Sequence, residues 1–268
     1  MELNSSLGTL HWIAKILYDQ IVPNKGSKVA IITGGTTGIG GATARELAAN
    51  GFRLLLVALS DPSLLVPELR AAGARVEFLH IDLTDSERAA KAIVASAITS
   101  FGRIDLVVNC AGVISHKDPE LVTEADWDQI FAVNLKAPFF LAQQALPHLK
   151  ESGGSIINLS SINSFRPARK NQLYDSLKAA LNNLTAGLAL EYRESGVRVN
   201  AIAPGGVRTP LVEQWLEEYL GQVPTEKDFD IPSLAKPEQI AKVVVALASE
   251  EMSWINGVTL PVDGGYGL

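Results

Sequence analysis

Short apolar runs alternate with helical patterns along most of this 268-residue chain. Strands that alternate with helices form βαβ units, whose right-handed crossovers build a parallel sheet covered on both faces. The sequence therefore predicts an α/β fold, a single doubly wound, Rossmann-type domain with a parallel sheet of about seven strands and helices on both faces. The apolar runs place the strands at residues 28–33, 53–59, 75–81, 104–108, 155–160, 197–202 and 258–262.

Several of the helical patterns carry start and stop signals. Thr84 with Glu87 predicts a capping box before a helix over residues 86–101, and Gly102 follows as its stop. Thr123 begins a long helical pattern that reaches about residue 150, and Pro237 begins the last one. Further helices are expected over residues 42–49 and 63–72.

The length predicts one large domain over residues 27–268, preceded by a separate extension. Within residues 1–26, Leu10, Ile13, Leu17 and Ile21 recur at helical spacing, which predicts an amphipathic helix. We expect it to pack on the domain or on a partner subunit, because its polar face lacks the Lys and Arg typical of membrane-surface helices. Prolines and glycines at about 205–236, around a helical patch at 211–220, predict a flap over a site.

The charge balance excludes some functions. The chain has 23 Lys and Arg against 29 Asp and Glu, a net charge of −6, which argues against nucleic acid as a partner and favours a small molecule. No apolar run predicts a transmembrane segment and no basic start predicts a signal peptide, so a cytoplasmic protein is expected. The single cysteine, Cys110, cannot form an internal disulfide and is predicted to be a buried thiol.

A glycine-rich turn follows the first predicted strand and precedes a helix. Free backbone N–H groups and the helix dipole make such a turn an anion site, and glycines at 34, 38 and 40 let the backbone approach a pyrophosphate. The alternative is a tight turn with no ligand.

Tyr174 and Lys178 are four residues apart, so they share one face of a helix. The helix itself is predicted by an apolar stripe that ends before Gly196. A nearby ammonium favours the phenolate, which makes Tyr174 a candidate acid and base. Alternatively, the two residues are an incidental pair on a solvated helix. The stripe comprises Leu177, Leu181, Leu184, Leu188 and Tyr192.

Several motifs stand together in order, and through them the chain resembles the short-chain dehydrogenase/reductase family, most closely its 3-oxoacyl carrier-protein reductases. The resemblance covers residues 27–266. The motifs are Thr33-Gly34 with Gly38-Ile39-Gly40, Asp82, Asn109-Cys110-Ala111-Gly112, Asn134, Ser161, Tyr174 with Lys178, Pro204-Gly205, Thr209 and Asp263-Gly264-Gly265.

The resemblance implies a catalytic set of Asn134, Ser161, Tyr174 and Lys178. Tyr174 would donate a proton to a carbonyl oxygen or accept one from a hydroxyl, and Ser161 would hydrogen-bond that oxygen. Lys178 would lower the pKa of Tyr174 and bind the nicotinamide ribose, while Asn134 would hold a water that links Lys178 to solvent. The alternative for Asn134 is a polar helix residue that bonds to the backbone.

The resemblance also implies a nicotinamide cofactor and its contacts. The glycine turn would bind the pyrophosphate, Asp82 the adenine, and Val207 with Thr209 the carboxamide. Asn109 and Gly112 would flank the adenosine ribose or, alternatively, only shape the turn after the fourth strand. The full set of expected contacts is Gly34, Thr36, Thr37, Gly38, Ile39, Gly40, Ser60, Asp82, Leu83, Asn109, Ala111, Gly112, Tyr174, Lys178, Pro204, Gly205, Val207 and Thr209.

Cofactor choice is expected at the end of the second strand. An Asp in place of Ala58 would bond the ribose diol of NAD, and it is absent. No Arg or Lys stands at 36, 37, 41, 58, 59 or 60, and Asp61 adds a negative charge. Ser60 and Thr37 can donate to a phosphate, whereas nothing there favours a free diol, so the sequence favours NADP(H) over NAD(H).

The implied function is an NAD(P)-dependent oxidoreductase that transfers a hydride between the cofactor and a carbonyl or secondary alcohol, without a metal. The preferred interpretation is a ketone or 3-oxoacyl reductase. The alternatives are an NAD-dependent alcohol or sugar dehydrogenase and a nucleotide-binding regulatory protein without turnover; the intact catalytic set argues against the last. Three cations lie between Ser161 and Tyr174, namely Arg166, Arg169 and Lys170. They belong to a solvated loop or, alternatively, recognise an anionic or thioester-borne substrate.

In relatives the Asp263-Gly264-Gly265 segment supports subunit contacts, so a homodimer or homotetramer is implied.

Overall fold

Seven parallel strands form one sheet within residues 27–221 and 234–268, the part of the chain that the computed structural model describes. Their order is β3-β2-β1-β4-β5-β6-β7. Each strand lies within two residues of its predicted place. The predicted doubly wound sheet is confirmed. The strands are β1 (Val29–Thr33), β2 (Arg53–Ala58), β3 (Val76–His80), β4 (Leu106–Asn109), β5 (Ser155–Leu159), β6 (Arg198–Pro204) and β7 (Thr259–Val262).

Helices cover both faces of the sheet and bury two separate apolar cores. The strands alternate between them, since Val29 and Ile31 of β1 face one core and Ala30 and Ile32 face the other. Helices α3, α5 and α6 pack over the first core, and α1, α2 and α8 over the second. The helices are α1 (Gly38–Ala49), α2 (Leu65–Ala71), α3 (Ser86–Phe101), α4 (Glu124–Phe131), α5 (Ala137–Ser152), α6 (Gln172–Tyr192), α7 (Pro210–Leu220) and α8 (Pro237–Ala248).

The sheet changes winding direction between β1 and β4. After β3 the chain crosses back over the sheet, and β4 pairs with the free edge of β1, with Thr33 beside Asn109. The connections on the two sides of this point diverge, which leaves a crevice at the carboxyl ends of the strands where ligands bind in open α/β sheets. The glycine-rich turn after β1 lies at this crevice.

The predicted capping box of Thr84 and Glu87 is wrong. Asp85, not Thr84, precedes α3, and its side chain makes no capping hydrogen bond. The backbone N–H of Thr84 donates to Asp82 Oδ1 at 2.9 Å, and Glu87 reaches forward to Lys91 Nζ at 2.6 Å. The Thr84 N–H and the Glu87 carboxylate, which the box would join, are therefore bonded to other partners. The predicted stop is confirmed, because Gly102 adopts a left-handed conformation with φ of 77°.

The long helical pattern after Thr123 is divided by a π-helical turn at Ala132–Lys136, which the sequence did not predict. It starts with a complete capping box: Thr123 Oγ1 accepts from the Asp126 N–H, and the Asp126 carboxylate accepts from the Thr123 N–H. Single π turns widen a helix and recur at functional sites. This turn carries Asn134.

Some expectations fall outside the described part of the chain. These are the helix expected at residues 1–26 and residues 222–233 of the expected flap. The helical patch of that flap is α7. Over residues 27–221 and 234–268, no helix has both the length and the apolar character needed to span a membrane.

Candidate active site

The crevice brings the turn after β1 against the segment after β4. Thr33 Oγ1 accepts hydrogen bonds from the backbone N–H groups of Cys110, at 3.1 Å, and Ala111, at 3.2 Å. Gly34 has φ of +64°, and a Cβ there would lie 2.9 Å from the Ala111 backbone. A side chain at Gly40 would overlap the carbonyl of Gly34. The glycines are therefore required by close backbone packing as well as by turn geometry.

The same turn has the features of a phosphate cradle. Thr37 precedes α1 without a side-chain capping bond, and no acidic residue lies in the first turn of that helix. The backbone N–H groups there and the positive end of the helix dipole are thus directed at the crevice. Gly38, with φ of +53°, lies against Thr209, where a Cβ would be 3.2 Å from the Thr209 methyl carbon. A pyrophosphate fits this cradle, and the segment after β6 lies beside it.

The side of the crevice next to β2 carries hydroxyl groups. Thr36 Oγ1 and Ser60 Oγ form a hydrogen bond, so the turn after β1 is tied to the end of β2. Asp61 directs its carboxylate to Ser63, accepting from its N–H at 2.8 Å and its hydroxyl at 2.7 Å, and these bonds lower the pKa of Asp61. Asp82 is exposed and Leu83 partly buried at the end of β3.

Asn109 is built into the sheet rather than into the crevice. Its side chain is 4% exposed and donates to Asn158 Oδ1 at 2.8 Å, and Asn158 donates onward to Thr185 Oγ1 at 2.9 Å. This geometry corresponds to the second interpretation of Asn109, in which it shapes the turn after β4. Gly112 lies between the other site residues, since a Cβ there would be 2.9 Å from Asn134 Oδ1 and 3.9 Å from Lys178 Nζ.

Tyr174, Lys178 and Ser161 come together at the carboxyl end of β5. Tyr174 and Lys178 lie in the first two turns of α6, and Ser161 follows β5. The Ser161 hydroxyl lies close enough to the Tyr174 phenol to lower its pKa. Lys178 Nζ lies 5.4 Å from the centre of the Tyr174 ring and donates to the Leu159 carbonyl at 2.6 Å. The structure thus brings a phenol, a hydroxyl and an ammonium to one spot.

Burial shifts the pKa values of Tyr174 and Lys178 in opposite directions. It raises the pKa of Tyr174 to about 12, with Asp175 adding to the rise and the bond from Ser161 opposing it. It lowers the pKa of Lys178 to about 8. The expected lowering of the Tyr174 pKa by Lys178 is not seen in this arrangement, because burial raises that pKa and the Lys178 ammonium donates to the Leu159 carbonyl. Tyr174 therefore keeps its proton at neutral pH.

Asn134 holds the chain that follows β4. Its Nδ2 donates to the carbonyl groups of Val113, at 2.8 Å, and Ile130, at 3.1 Å, and its Oδ1 accepts from the Val113 N–H at 3.3 Å. The side chain is 1% exposed. These bonds correspond to the second interpretation of Asn134, a polar helix residue bonded to the backbone.

The segment after β6 closes the crevice from the other side. The N–H of Gly205 donates to Val262 at 3.1 Å, and a Cβ at Gly205 would lie 2.9 Å from that of Asp263. Asp263 in turn accepts from the N–H groups of Gly265 and Gly267, so it shapes the C-terminal turn. Val207 packs in the second core, and Thr209 caps α7 by accepting from the Val212 N–H at 3.3 Å.

The three cations beside the site have different partners. Arg166 donates to the Tyr266 carbonyl at 2.8 Å, which ties it to the C-terminal turn. Lys170 pairs with Asp118 at 3.1 Å. Arg169 is exposed and makes no hydrogen bond or ion pair with the residues that the structure describes. It is the cation of the three that is available to an anionic ligand.

Two further residues bear on the site. The Cys110 thiol is partly buried, and burial raises its pKa to about 12, so it remains protonated at neutral pH.

Asp175 is a site residue that the sequence analysis did not identify, although it stands directly after Tyr174. It is 3% exposed and carries a carboxylate next to the phenol. An acidic residue between two candidate catalytic groups is the signal that could have identified it.

The known proteins that this chain is similar to are dehydrogenases and reductases. A protein-family model described as Enoyl-(Acyl carrier protein) reductase matches residues 34–267. The chain is 38% identical over 248 residues to the 2,5-dichloro-2,5-cyclohexadiene-1,4-diol dehydrogenase of Sphingobium indicum, covering 90% of this chain and 96% of the relative. It is 35% identical over 242 residues to the cis-4-hydroxycyclohexanecarboxylate dehydrogenase of Sinomonas cyclohexanicum, covering 89% and 96%.

Similarity extends to a reductase of acyl chains and to a solved complex. A 3-oxoacyl-(acyl-carrier-protein) reductase of Thermotoga maritima is 34% identical over 247 residues, covering 89% of this chain and 97% of the relative. The crystal structure of L-sorbose reductase from Gluconobacter frateurii, complexed with NADPH and L-sorbose, superposes with a TM-score of 0.82 at 31% identity. It covers 89% of this chain and 96% of the reductase.

Proposed function

Since the chain belongs to the short-chain dehydrogenase/reductase family, we propose that Asn134, Ser161, Tyr174 and Lys178 carry out its reaction. The predicted family and reaction class are confirmed: the protein is an oxidoreductase that acts on carbonyl groups and secondary alcohols. It binds a nicotinamide cofactor, as its family does. The observation that supports the catalytic assignment is the placement of Tyr174 beside both Ser161 and Lys178, next to the glycine cradle.

In the direction of reduction, Tyr174 delivers the proton. Its raised pKa keeps the phenol protonated, and Ser161 hydrogen-bonds the carbonyl oxygen that receives the proton. In the direction of oxidation, the same phenol oxygen takes the proton from the alcohol. The bound nicotinamide supplies or takes up the hydride.

Lys178 and Asn134 support this exchange. With a pKa of about 8, Lys178 is mainly an ammonium at neutral pH, and it is placed to bind ribose hydroxyls and to compensate a phenolate. Asn134 fixes Val113, and with it the start of the loop that borders the substrate. The water that Asn134 was expected to hold remains part of this proposal.

NADP(H) is the cofactor we propose. The paired hydroxyls of Thr36 and Ser60 offer a donor at the place of a 2′-phosphate, and the carboxylate of Asp61 is directed to Ser63. The similar L-sorbose reductase was solved with NADPH.

The cofactor test compares Michaelis constants for NADPH and NADH in the wild type and in Ser60→Ala. We expect a lower KM for NADPH in the wild type, and in the variant a rise of about tenfold or more for NADPH with NADH unchanged, since one hydrogen bond to a charged group is lost. Ala58→Asp should reverse the preference by bonding the ribose diol. A wild type that prefers NADH contradicts the proposal.

The substrate we propose is a small ring ketone or ring secondary alcohol that carries an acid group. Arg169 supplies an available cation on the loop between Ser161 and Tyr174. One similar enzyme is named for a ring alcohol with a carboxylate, cis-4-hydroxycyclohexanecarboxylate, and another for a cyclohexadiene diol. A thioester-borne 3-oxoacyl chain is the second candidate, favoured by the similar carrier-protein reductase.

The substrate test follows reduced-cofactor absorbance with 4-oxocyclohexanecarboxylate, with the neutral 4-methylcyclohexanone as its matched control, and with a β-ketoacyl thioester. We expect Arg169→Glu to raise the KM for the carboxylate about tenfold or more and to leave that of the neutral ketone unchanged. An equal effect on both ketones contradicts the ring-acid proposal. Preference for the thioester favours the second candidate.

The catalytic test is Tyr174→Phe in the same assay. Loss of the proton donor should reduce turnover by at least about 100-fold, while NADPH binding measured by cofactor fluorescence is unchanged. Turnover that survives in this variant contradicts the assignment. Tight NADPH binding without turnover of any compound in the wild type would favour the nucleotide-binding regulatory alternative.

We also propose that the protein is a homodimer or homotetramer. Phe131 and Phe139 are 37% and 39% exposed on the faces of α4 and α5. With Leu135 and Leu184 they line a cavity of about 330 Å³ that is open to solvent between these helices and α6. Large exposed aromatic groups around a cavity are typical of a subunit interface.

A further inference from the structure

Asp175 is a buried carboxylate that the proposed reaction does not use. It follows Tyr174 in the first turn of α6, and 3% of its surface is exposed. Carboxylates are almost never so buried unless other groups compensate their charge. Hydrogen-bond donors compensate its charge, and the nearby His116 interacts with it favourably as well.

Those donors all belong to the loop between β5 and α6. The N–H of Ala168 donates to Asp175 Oδ2 at 2.7 Å, and Asn171 Nδ2 donates to Oδ1 at 2.7 Å. The side chain of Asn163 lies near the carboxylate and helps to lower its pKa. A carboxylate can accept at both oxygens, so it suits two converging donors. Asp175 thus connects two points of this loop to the helix that carries Tyr174.

The loop needs such an anchor because it contains a strained residue. Lys170 is left-handed, with φ of 61°, which is unfavourable for a residue with a Cβ. Its carbonyl accepts from the Lys117 N–H at 3.1 Å and lies 3.3 Å from His116 Nδ1, both on the loop after β4. Asp175 therefore holds one loop directly, and the second loop is held through the first.

We propose that Asp175 is a positioning residue of the substrate site. Its carboxylate fixes residues 163–171, and through Lys170 the segment 116–118, at a set distance from Tyr174. This rests on the proposed function, in which both loops border the substrate. The consequence is that removal of the carboxylate loosens the substrate loops without removing any group that touches the reacting atoms.

The test pairs Asp175→Asn with the reciprocal exchange Asp175→Asn plus Asn171→Asp. The single change keeps the size of the side chain but removes its charge and leaves one acceptor oxygen in place of two. The double change returns a carboxylate to the pair, at 171, and keeps an oxygen at 175 for Ala168. A purely steric role would not give this pattern.

The first readout is hydrogen exchange of the backbone amides, which needs no turnover. We expect amides of residues 163–171 to exchange about 10- to 100-fold faster in Asp175→Asn, with β1 and β4 unchanged, and to recover in the double variant. Unchanged exchange in the loop overturns the proposal. So does a double variant that exchanges as fast as the single one.

The second readout is kinetic. We expect Asp175→Asn to raise the KM of the ketone about tenfold with a smaller change in kcat, and the double variant to recover most of it. Because the Asp175 charge raises the pKa of Tyr174, the rise of the oxidation rate with pH should also move to lower pH in the single variant. A fall in folding stability with unchanged KM and pH profile would mean a merely structural role. If the wild type turns over nothing while the loop exchange responds, the proposed function fails, and what stands is that Asp175 anchors the loop.

Discussion

Tyr174 and Lys178 show how one physical cause acts on a phenol and an amine. Burial disfavours whichever form is charged, so the acid becomes weaker and the base becomes weaker. The result is a neutral phenol beside an ammonium, with pKa values of about 12 and about 8. The i to i+4 spacing that the sequence displays brings the two together, and the desolvation that sets their charges comes from the surrounding strands.

The Lys178 shift predicts a pH dependence of stability. In the folded protein Lys178 loses its proton at about pH 8, whereas an unfolded lysine keeps it to about pH 10.4. Between these values the unfolded state binds more protons, so the free energy of unfolding rises with pH, by on the order of 3 kcal/mol at most. The raised pKa of Tyr174 makes the free energy of unfolding fall with pH, but only above about pH 10.

Urea unfolding between pH 7.5 and 10 measures this effect. The wild type should show the rise, and Lys178→Met, which keeps an apolar stem of similar length, should lack it. A variant with the same slope as the wild type would mean that another group titrates in this range.

At the scale of elements, two similar sequence signals have different outcomes. Thr123 with Asp126 forms a full capping box, while Thr84 with Glu87 forms none. Both acidic residues pair with a lysine, Asp126 with Lys117 and Glu87 with Lys91, but only the Thr84 N–H is already bonded to another carboxylate, that of Asp82 at 2.9 Å. Capping therefore depends on which side chains the neighbouring turns leave available.

Thr123→Ala should lower the free energy of unfolding by about 0.5–2 kcal/mol, because the first-turn N–H of Asp126 loses its acceptor. Thr84→Ala is the matched control and should change it by less than about 0.5 kcal/mol, since its hydroxyl makes no capping bond. Urea denaturation of both variants at one pH compares them directly. Equal losses would mean that the box at Thr123 contributes nothing.

At the scale of the whole molecule, the exposed aromatic groups of α4 and α5 predict association. Phe139 contacts Phe140 edge-on at 5.4 Å and is itself 39% exposed at the rim of the cavity. A charge at this position would be buried without a partner in an interface, which is costly. Phe139→Asp should therefore shift the protein to a smaller assembly.

Light scattering coupled to size exclusion gives the mass in solution for this comparison. Leu64→Asp is the control, because Leu64 is 86% exposed before α2, on the other face of the sheet, and should leave the mass unchanged. A Phe139→Asp variant with the mass of the wild type would place the interface elsewhere, and a monomeric wild type would contradict the proposal.

The sequence alone determined the elements whose signals are local. Apolar runs and helical stripes act between residues a few positions apart, so all seven strands and the reach of α6 could be predicted. The glycines of the turn and the spacing of Tyr174 and Lys178 are local in the same sense. The reaction class came from the ordered motifs, each of which is short.

Only the tertiary structure decided what depends on distant contacts. Arg166 bonds the carbonyl of Tyr266, 100 residues away, and Asn134 bonds Val113, 21 residues away, inside a π turn. The burial of Asp175 and the charge states of Tyr174 and Lys178 follow from which strands and loops surround them. Such effects depend on desolvation and on hydrogen-bond partners that the fold brings together, and no pattern of neighbouring residues encodes either.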